Sequence, residues 1–190
     1  NACDDLRRRA GLGEGTPGEA LSDAIRGFHR EHPGGALRGH ARYVKPPDVE
    51  WDADRYRGAA YAAYAWATYV AEVEVDLRTY TARVISFVAV QEVGRVLNEV
   101  LARGQVQGGV VQGIGWALLE ACRWREGAMQ NTGLADYSIP TSGDVPSIRV
   151  EFLEQPYAHG GQGAKVLGEL PMDGPAPAIA NAVADATGTD

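Results

Sequence analysis

Glu169 closes a glycine-rich run, Ala158-His159-Gly160-Gly161-Gln162-Gly163-Ala164-Lys165-Val166-Leu167-Gly168, and precedes the helix-start signal Pro175-Ala176-Pro177 by a few residues. Glycines let a backbone approach a ligand closely. A carboxylate near the positive end of a helix is favoured in its charged form, and Lys165, four residues upstream, would add to that field. An ionised carboxylate on a preorganised loop is what a general base requires. A glutamate that only caps or solvates a helix end carries the same local signature, so residue chemistry alone leaves both readings open.

The second constellation lies in residues 99–123, where Val106, Val110, Ile114, Leu118 and Ala121 recur at helical spacing. The same stretch holds Gly104, Gly108, Gly109, Gly113 and Gly115, each of which costs a helix about 1 kcal/mol relative to alanine. Gln105, Gly108, Gly109 and Gln112 follow the i, i+3, i+4, i+7 rule and share one face. That face is flat, with an amide at either end. It suits close packing against another element, or a polar ligand lying on the backbone and held by the two amides.

Other candidates carry less. His29 and His32 stand three apart with His40 nearby, but no cysteine or acidic pair completes a metal-ligand set, and none is expected. Gly113-Ile114-Gly115 is followed by Leu118 where a dinucleotide fingerprint would want a small residue, and it lies inside a helical pattern. Neither a nucleophile elbow nor a phosphate loop occurs.

The elements that must position these residues are legible in outline. Residues 2–10 read as a helix with aspartates early and arginines late. Thr16-Pro17-Gly18-Glu19 reads as a capping box opening a second helix, and the two form a helical hairpin. Polar residues from Pro46-Pro47 to Gly58 suggest a linker or surface loop. Period-two alternation within residues 61–76 and the β-branched run 82–90 predict an antiparallel hairpin. Strands are also expected at 131–137 and 147–154, and a helix from Pro175 to Gly188. The fold class is therefore α+β: mixed or antiparallel strands packed on a glycine-rich central helix, with short helices at both ends. The division expected is 1–58, a helical hairpin and linker, and 59–190, the region carrying the candidate site.

Composition bounds the function. The 190 residues are 45% hydrophobic and 23% charged, ordinary for a globular chain. A net charge of −7 repels phosphate backbones and anionic lipid, so no nucleic-acid or membrane-surface partner is expected. No apolar run reaches the length of about 20 residues that a membrane span needs. Two cysteines, Cys3 and Cys122, fit a reducing cytoplasm. No basic n-region and apolar core open the chain, so no retained signal peptide is expected; it begins at Asn1 rather than Met, as a piece of a longer polypeptide would.

Several ordered motifs resemble the molybdenum hydroxylases, the xanthine dehydrogenase and aldehyde oxidase family, in the C-terminal part of their molybdopterin-binding subunit. They are the run from Gly104 to Glu120, then Asp136-Tyr137-Ser138-Ile139-Pro140-Thr141, Gly163-Ala164-Lys165-Val166-Leu167-Gly168-Glu169 and Ala178-Ile179-Ala180-Asn181-Ala182-Val183. Upstream, Ala71-Glu72-Val73-Glu74-Val75-Asp76 and Val93-Gly94-Arg95-Val96-Leu97-Asn98 also fit the pattern. The chain departs from it at Gln91-Glu92-Val93-Gly94, where many relatives have Asp-Val-Gly, at Asn98-Glu99 for Asn-Pro, and at Val166 for glycine.

The resemblance implies a molybdopterin cofactor, usually the cytosine dinucleotide in a bacterial relative, with FAD and 2Fe-2S iron–sulfur centres on partner domains or subunits. It implies that Glu169 is the base beside the molybdenum, taking a proton as a water-derived oxygen attacks substrate carbon. Gln105 matches the glutamine that hydrogen-bonds the pterin. Gly108, Gly109 and Gln112 on the same face, with Ala164, Lys165 and Gly168 in the loop, complete the expected cofactor wall. The substrate class implied is an aldehyde or aromatic N-heterocycle, oxidised only after assembly with the remainder of the molybdenum subunit. Two other readings stand beside it: a non-catalytic structural or assembly subunit that keeps the family fold, and a free-standing small-molecule binding domain.

Overall fold

Aspartates early and arginines late shape the first helix, α1 (Ala2–Arg9), and complement its macrodipole. The computed structural model describes residues 2–13 and 16–189. The chain divides into two units, with the boundary between Pro47 and Asp48.

In the first unit Asp5 accepts hydrogen bonds from Arg9 at 2.8 Å and from the backbone N–H of His40 at 2.9 Å. Gly39 is required there, because a Cβ would run into the carbonyl oxygen of Ala2. The second helix, α2 (Gly18–Glu31), forms without the expected capping box. Pro17, extended at ψ 151°, takes the N-cap position and leaves Thr16 outside the helix. The Thr16 hydroxyl donates instead to the carbonyl of Gly13 at 2.6 Å. His32 stacks on Phe28 with ring centroids 4.6 Å apart. Among the described residues no group of His, Cys, Asp or Glu is placed to hold a metal ion.

The second unit opens with a small hairpin, β1 (Trp51–Asp52) and β2 (Arg57–Gly58), within the stretch expected as linker. The alternating segment and the β-branched run form β3 (Trp66–Asp76) and β4 (Thr81–Glu92), antiparallel as expected, with a register shift between Glu72 and Val73. Asp76 accepts from the N–H of Arg78 at 2.8 Å in their turn.

The central helix, α3 (Glu99–Leu118), starts at Asn98, whose side chain accepts from the Leu101 N–H at 3.0 Å, a favoured N-cap. It stops short of the expected Arg123. The chain leaves it for a hairpin, β5 (Trp124–Arg125) and β6 (Ala128–Met129), turning at Glu126-Gly127 with φ of 51° and 79°. The strand expected at 131–137 does not form either. Buried Asn131 accepts from the Arg123 N–H at 2.9 Å and donates to the Ala121 carbonyl at 2.6 Å, doing with one side chain what a ladder would do.

The final strand, β7 (Ser147–Phe152), runs parallel to β4, with Val150 opposite Ala89. The sheet order is β3-β4-β7, mixed in direction. A one-turn helix, α4 (Leu170–Asp173), and the terminal α5 (Pro175–Thr187) follow, the latter ending on Gly188 at φ 70°. Phe87, Ala89 and Val150 of the sheet meet Val106, Val110 and Ile114 of α3 and Ile179 of α5 in one core. The architecture is α+β. None of the described helices is long and apolar enough to cross a membrane.

Candidate functional site

The glycines of α3 divide into two groups by what surrounds them. A Cβ on Gly109 would stand 2.6 Å from Pro171 Cβ, and one on Gly113 would stand 2.7 Å from Pro175 Cβ. One on Gly115 would meet Pro140 Cδ at 2.7 Å. These positions let α4, α5 and the Pro140 loop lie directly on the helix backbone. At Gly104 and Gly108 an added Cβ would meet nothing within 4 Å. No packing among the described residues accounts for glycine at those two, although each costs the helix about 1 kcal/mol.

The two bare glycines open onto a groove of about 400 Å³ lined by Gly104, Gln105, Gly108, Gly109, Gln112, Gly168, Glu169 and Met172. That volume is in the range of small-ligand sites. Six of the eight residues were expected at a site: Glu169, Gln105, Gly108, Gly109, Gln112 and Gly168 come together although they lie on two separate segments. The contact that joins those segments is Gln105 Nε2, which donates to the carbonyl oxygen of Gly168 at 2.9 Å. Glu169 occupies the N-cap position of α4, but its side chain makes no capping hydrogen bond. Glu169 lines the groove, and its carboxylate has no hydrogen-bond or ion-pair partner among the described residues.

Ala164 and Lys165 lie elsewhere. Ala164 forms an antiparallel bridge with Gly94, whose φ of 73° is one that glycine adopts without strain. The Lys165 N–H donates to the carbonyl of Val93 at 2.8 Å. Its ammonium is held by Glu92 at 2.6 Å and by the carbonyl of Tyr64 at 3.0 Å. The charge expected to assist Glu169 is therefore spent on Glu92. Burial pushes the Glu92 carboxyl up, but Lys165 and the Gly94 N–H outweigh it and hold the group below its ordinary value. Val166, the departure from glycine, is 79% exposed and lies outside the groove lining.

Sequence reasoning missed Gly104 and Met172. Gly104 precedes Gly108 by one helical turn, a signal that was available. Met172 reaches the groove only because Pro171 packs on Gly109, a tertiary contact that no local pattern encodes.

Comparison with known proteins bears on what this groove is for. A family model described as molybdopterin cofactor-binding domain matches residues 11–146. The chain belongs to this family. The match includes α3 and ends before the Glu169 loop. The xanthine dehydrogenase molybdenum-binding subunit of Escherichia coli is 39% identical over 119 residues, 62% of this chain and 16% of that subunit. The aldehyde oxidoreductase molybdenum-binding subunit of Escherichia coli is 39% identical over 132 residues, 67% of this chain and 18% of that subunit. The solved aldehyde oxidoreductase of Desulfovibrio gigas superposes with a TM-score of 0.76 at 26% identity, covering 98% of this chain and 20% of that one. The chain thus spans less than a fifth of the curated subunits it matches.

The residues present fit the cofactor that names this molybdopterin cofactor-binding family. A strip of bare backbone at Gly104 and Gly108, with amide side chains at Gln105 and Gln112, suits a flat, polar ring system. Gln105 has spent one N–H on Gly168, and an amide has a second N–H and two acceptor lone pairs to offer a ligand.

Proposed function

We propose that this chain is part of a molybdenum hydroxylase that acts in the cytoplasm on an aldehyde or aromatic N-heterocycle, with Glu169 as the general base. The observation that carries the reading is the convergence of Gln105, Gly108, Gly109, Gln112, Gly168 and Glu169 on one groove. The substrate class is supported by the names of two similar proteins, an aldehyde oxidoreductase subunit and a quinoline 2-oxidoreductase from Pseudomonas putida 86, the latter with a TM-score of 0.59 at 41% identity.

In this reading the bare face of α3 receives the pterin, and the Gln105 and Gln112 amides orient it through hydrogen bonds. When bound, the cofactor supplies the centre at which oxygen and electrons are exchanged with substrate. Glu169 accepts a proton at a carboxylate oxygen, and among the described residues no cation forms an ion pair with it. Gln105 fixes the loop through Gly168, so the base keeps its place relative to the ring. The remainder of the molybdenum subunit closes the exposed side of the groove, and partners carrying iron–sulfur centres and FAD remove the electrons.

A non-catalytic assembly subunit with the same fold is the second reading. It draws on the pairing of Lys165 with Glu92, which takes that ammonium away from Glu169. Metal and pterin analysis of the purified assembly separates the two. Stoichiometric molybdenum and pterin, reduced several-fold on Gln105→Ala, is the result expected. A stable complex without either would favour assembly.

A further inference from the structure

The turn that carries Glu169 has a second anchor, on the sheet. Tyr69 of β3 donates its hydroxyl to the carbonyl oxygen of Leu170, the residue that follows Glu169. Its ring lies flush against Gly174, where an added Cβ would overlap the ring carbons. One side chain therefore holds both ends of α4. Gln91 of β4, fully buried, donates from Nε2 to the Tyr69 oxygen at 3.0 Å.

The proton order follows from chemistry. A carbonyl only accepts, so the phenol proton is committed to Leu170, and Gln91 must present its N–H end. Gln91 Oε1 accordingly has no partner among the described residues. A buried amide with an idle acceptor is unfavourable unless its donor is needed. Burial, with Asp173 adding to it, also raises the phenol above its ordinary value and keeps it a donor.

We infer that Tyr69, oriented by Gln91, is a positioning residue that sets the place of Glu169 in the groove by fixing the next carbonyl. The inference rests on Glu169 being the base. Gln105 holds the loop before Glu169 and Tyr69 holds the turn after it, so the two bonds bracket the carboxylate along the chain.

The test is Tyr69→Phe in the assembled enzyme, which keeps the ring on Gly174 and deletes the hydroxyl. Turnover per bound molybdenum should fall about 10–100-fold with KM changed less than about twofold, the signature of a misplaced group. A readout independent of activity is hydrogen exchange at the Met172 amide, which donates to the Glu169 carbonyl at 2.8 Å and should exchange faster in the variant. Gln91→Leu should act in the same direction, and the double variant should be no worse than Tyr69→Phe alone, because Gln91 works through the phenol. Unchanged turnover per molybdenum with unchanged Met172 exchange would overturn the positioning role. Normal turnover in Glu169→Gln, with Met172 still loosened in Tyr69→Phe, would overturn it by a different route, through the base reading.

Discussion

Gln105 and Gly168, 63 residues apart in sequence, are joined by a hydrogen bond of 2.9 Å from the glutamine amide to the glycine carbonyl. The helix face and the loop that carries Glu169 are thereby one unit. Gln105→Ala should lower pterin and molybdenum content of the assembled enzyme several-fold, by roughly the loss of a hydrogen bond worth about 1 kcal/mol. Full cofactor content in that variant would separate the two segments functionally.

The two kinds of glycine on α3 respond oppositely to alanine. Gly109→Ala forces a Cβ against Pro171 and should destabilise the full chain by about 1–3 kcal/mol. Gly108→Ala meets open space and should stabilise it by about 1 kcal/mol. Cofactor retention in the assembled enzyme should nevertheless fall for Gly108→Ala. Urea denaturation and pterin analysis check both halves, and equal stability of the two variants would contradict the division.

Much of this was legible beforehand, and the exceptions share a cause. Alternation at Tyr69, Ala71 and Val73 and the Pro175–Gly188 bounds are local signals, and each folded where the pattern put it. The shared face of Gln105, Gly108, Gly109 and Gln112 follows from helical geometry alone. The pairing of Lys165 with Glu92, 73 residues away on a strand end, is a tertiary contact that no local pattern encodes. Asn131 turned a strand-like segment into a turn through side-chain bonds that β-propensity does not register. Thr16 failed as a cap because Pro17 remained extended.

The Glu92–Lys165 pair gives an acid-side signature. Both side chains are largely buried, with exposures of 10% and 14%. The Glu92 carboxyl is held below its ordinary value near 4.5. Its contribution is thus present above that value and is lost as pH falls through the depressed one. Glu92→Gln should remove this part of the acid dependence and, by stranding Lys165, cost about 3 kcal/mol. Thermal denaturation from neutral to acid pH measures it; matching curves for variant and parent would contradict the assignment.

At the other end of the scale, Tyr137 donates to Glu120 at 2.5 Å. That bond, with burial and the Glu120 charge, pushes the phenol up to about 12. The protonated form is favoured by the fold, so its stabilisation holds below the ordinary value of 10.0 and fades as pH rises from there to about 12. Glu120→Gln should bring the phenol down towards its ordinary value. Tyrosine-labelled NMR titration, assigned with Tyr137→Phe, follows it, and an unmoved resonance would contradict the cause.

The most direct test is Glu169→Gln in the assembled enzyme, with molybdenum content and turnover measured on the same preparation. Glutamine keeps the shape of the side chain and loses its capacity to take the proton. The account predicts unchanged molybdenum with turnover reduced by about 10²–10⁴-fold. Near-normal turnover at full molybdenum occupancy would contradict it.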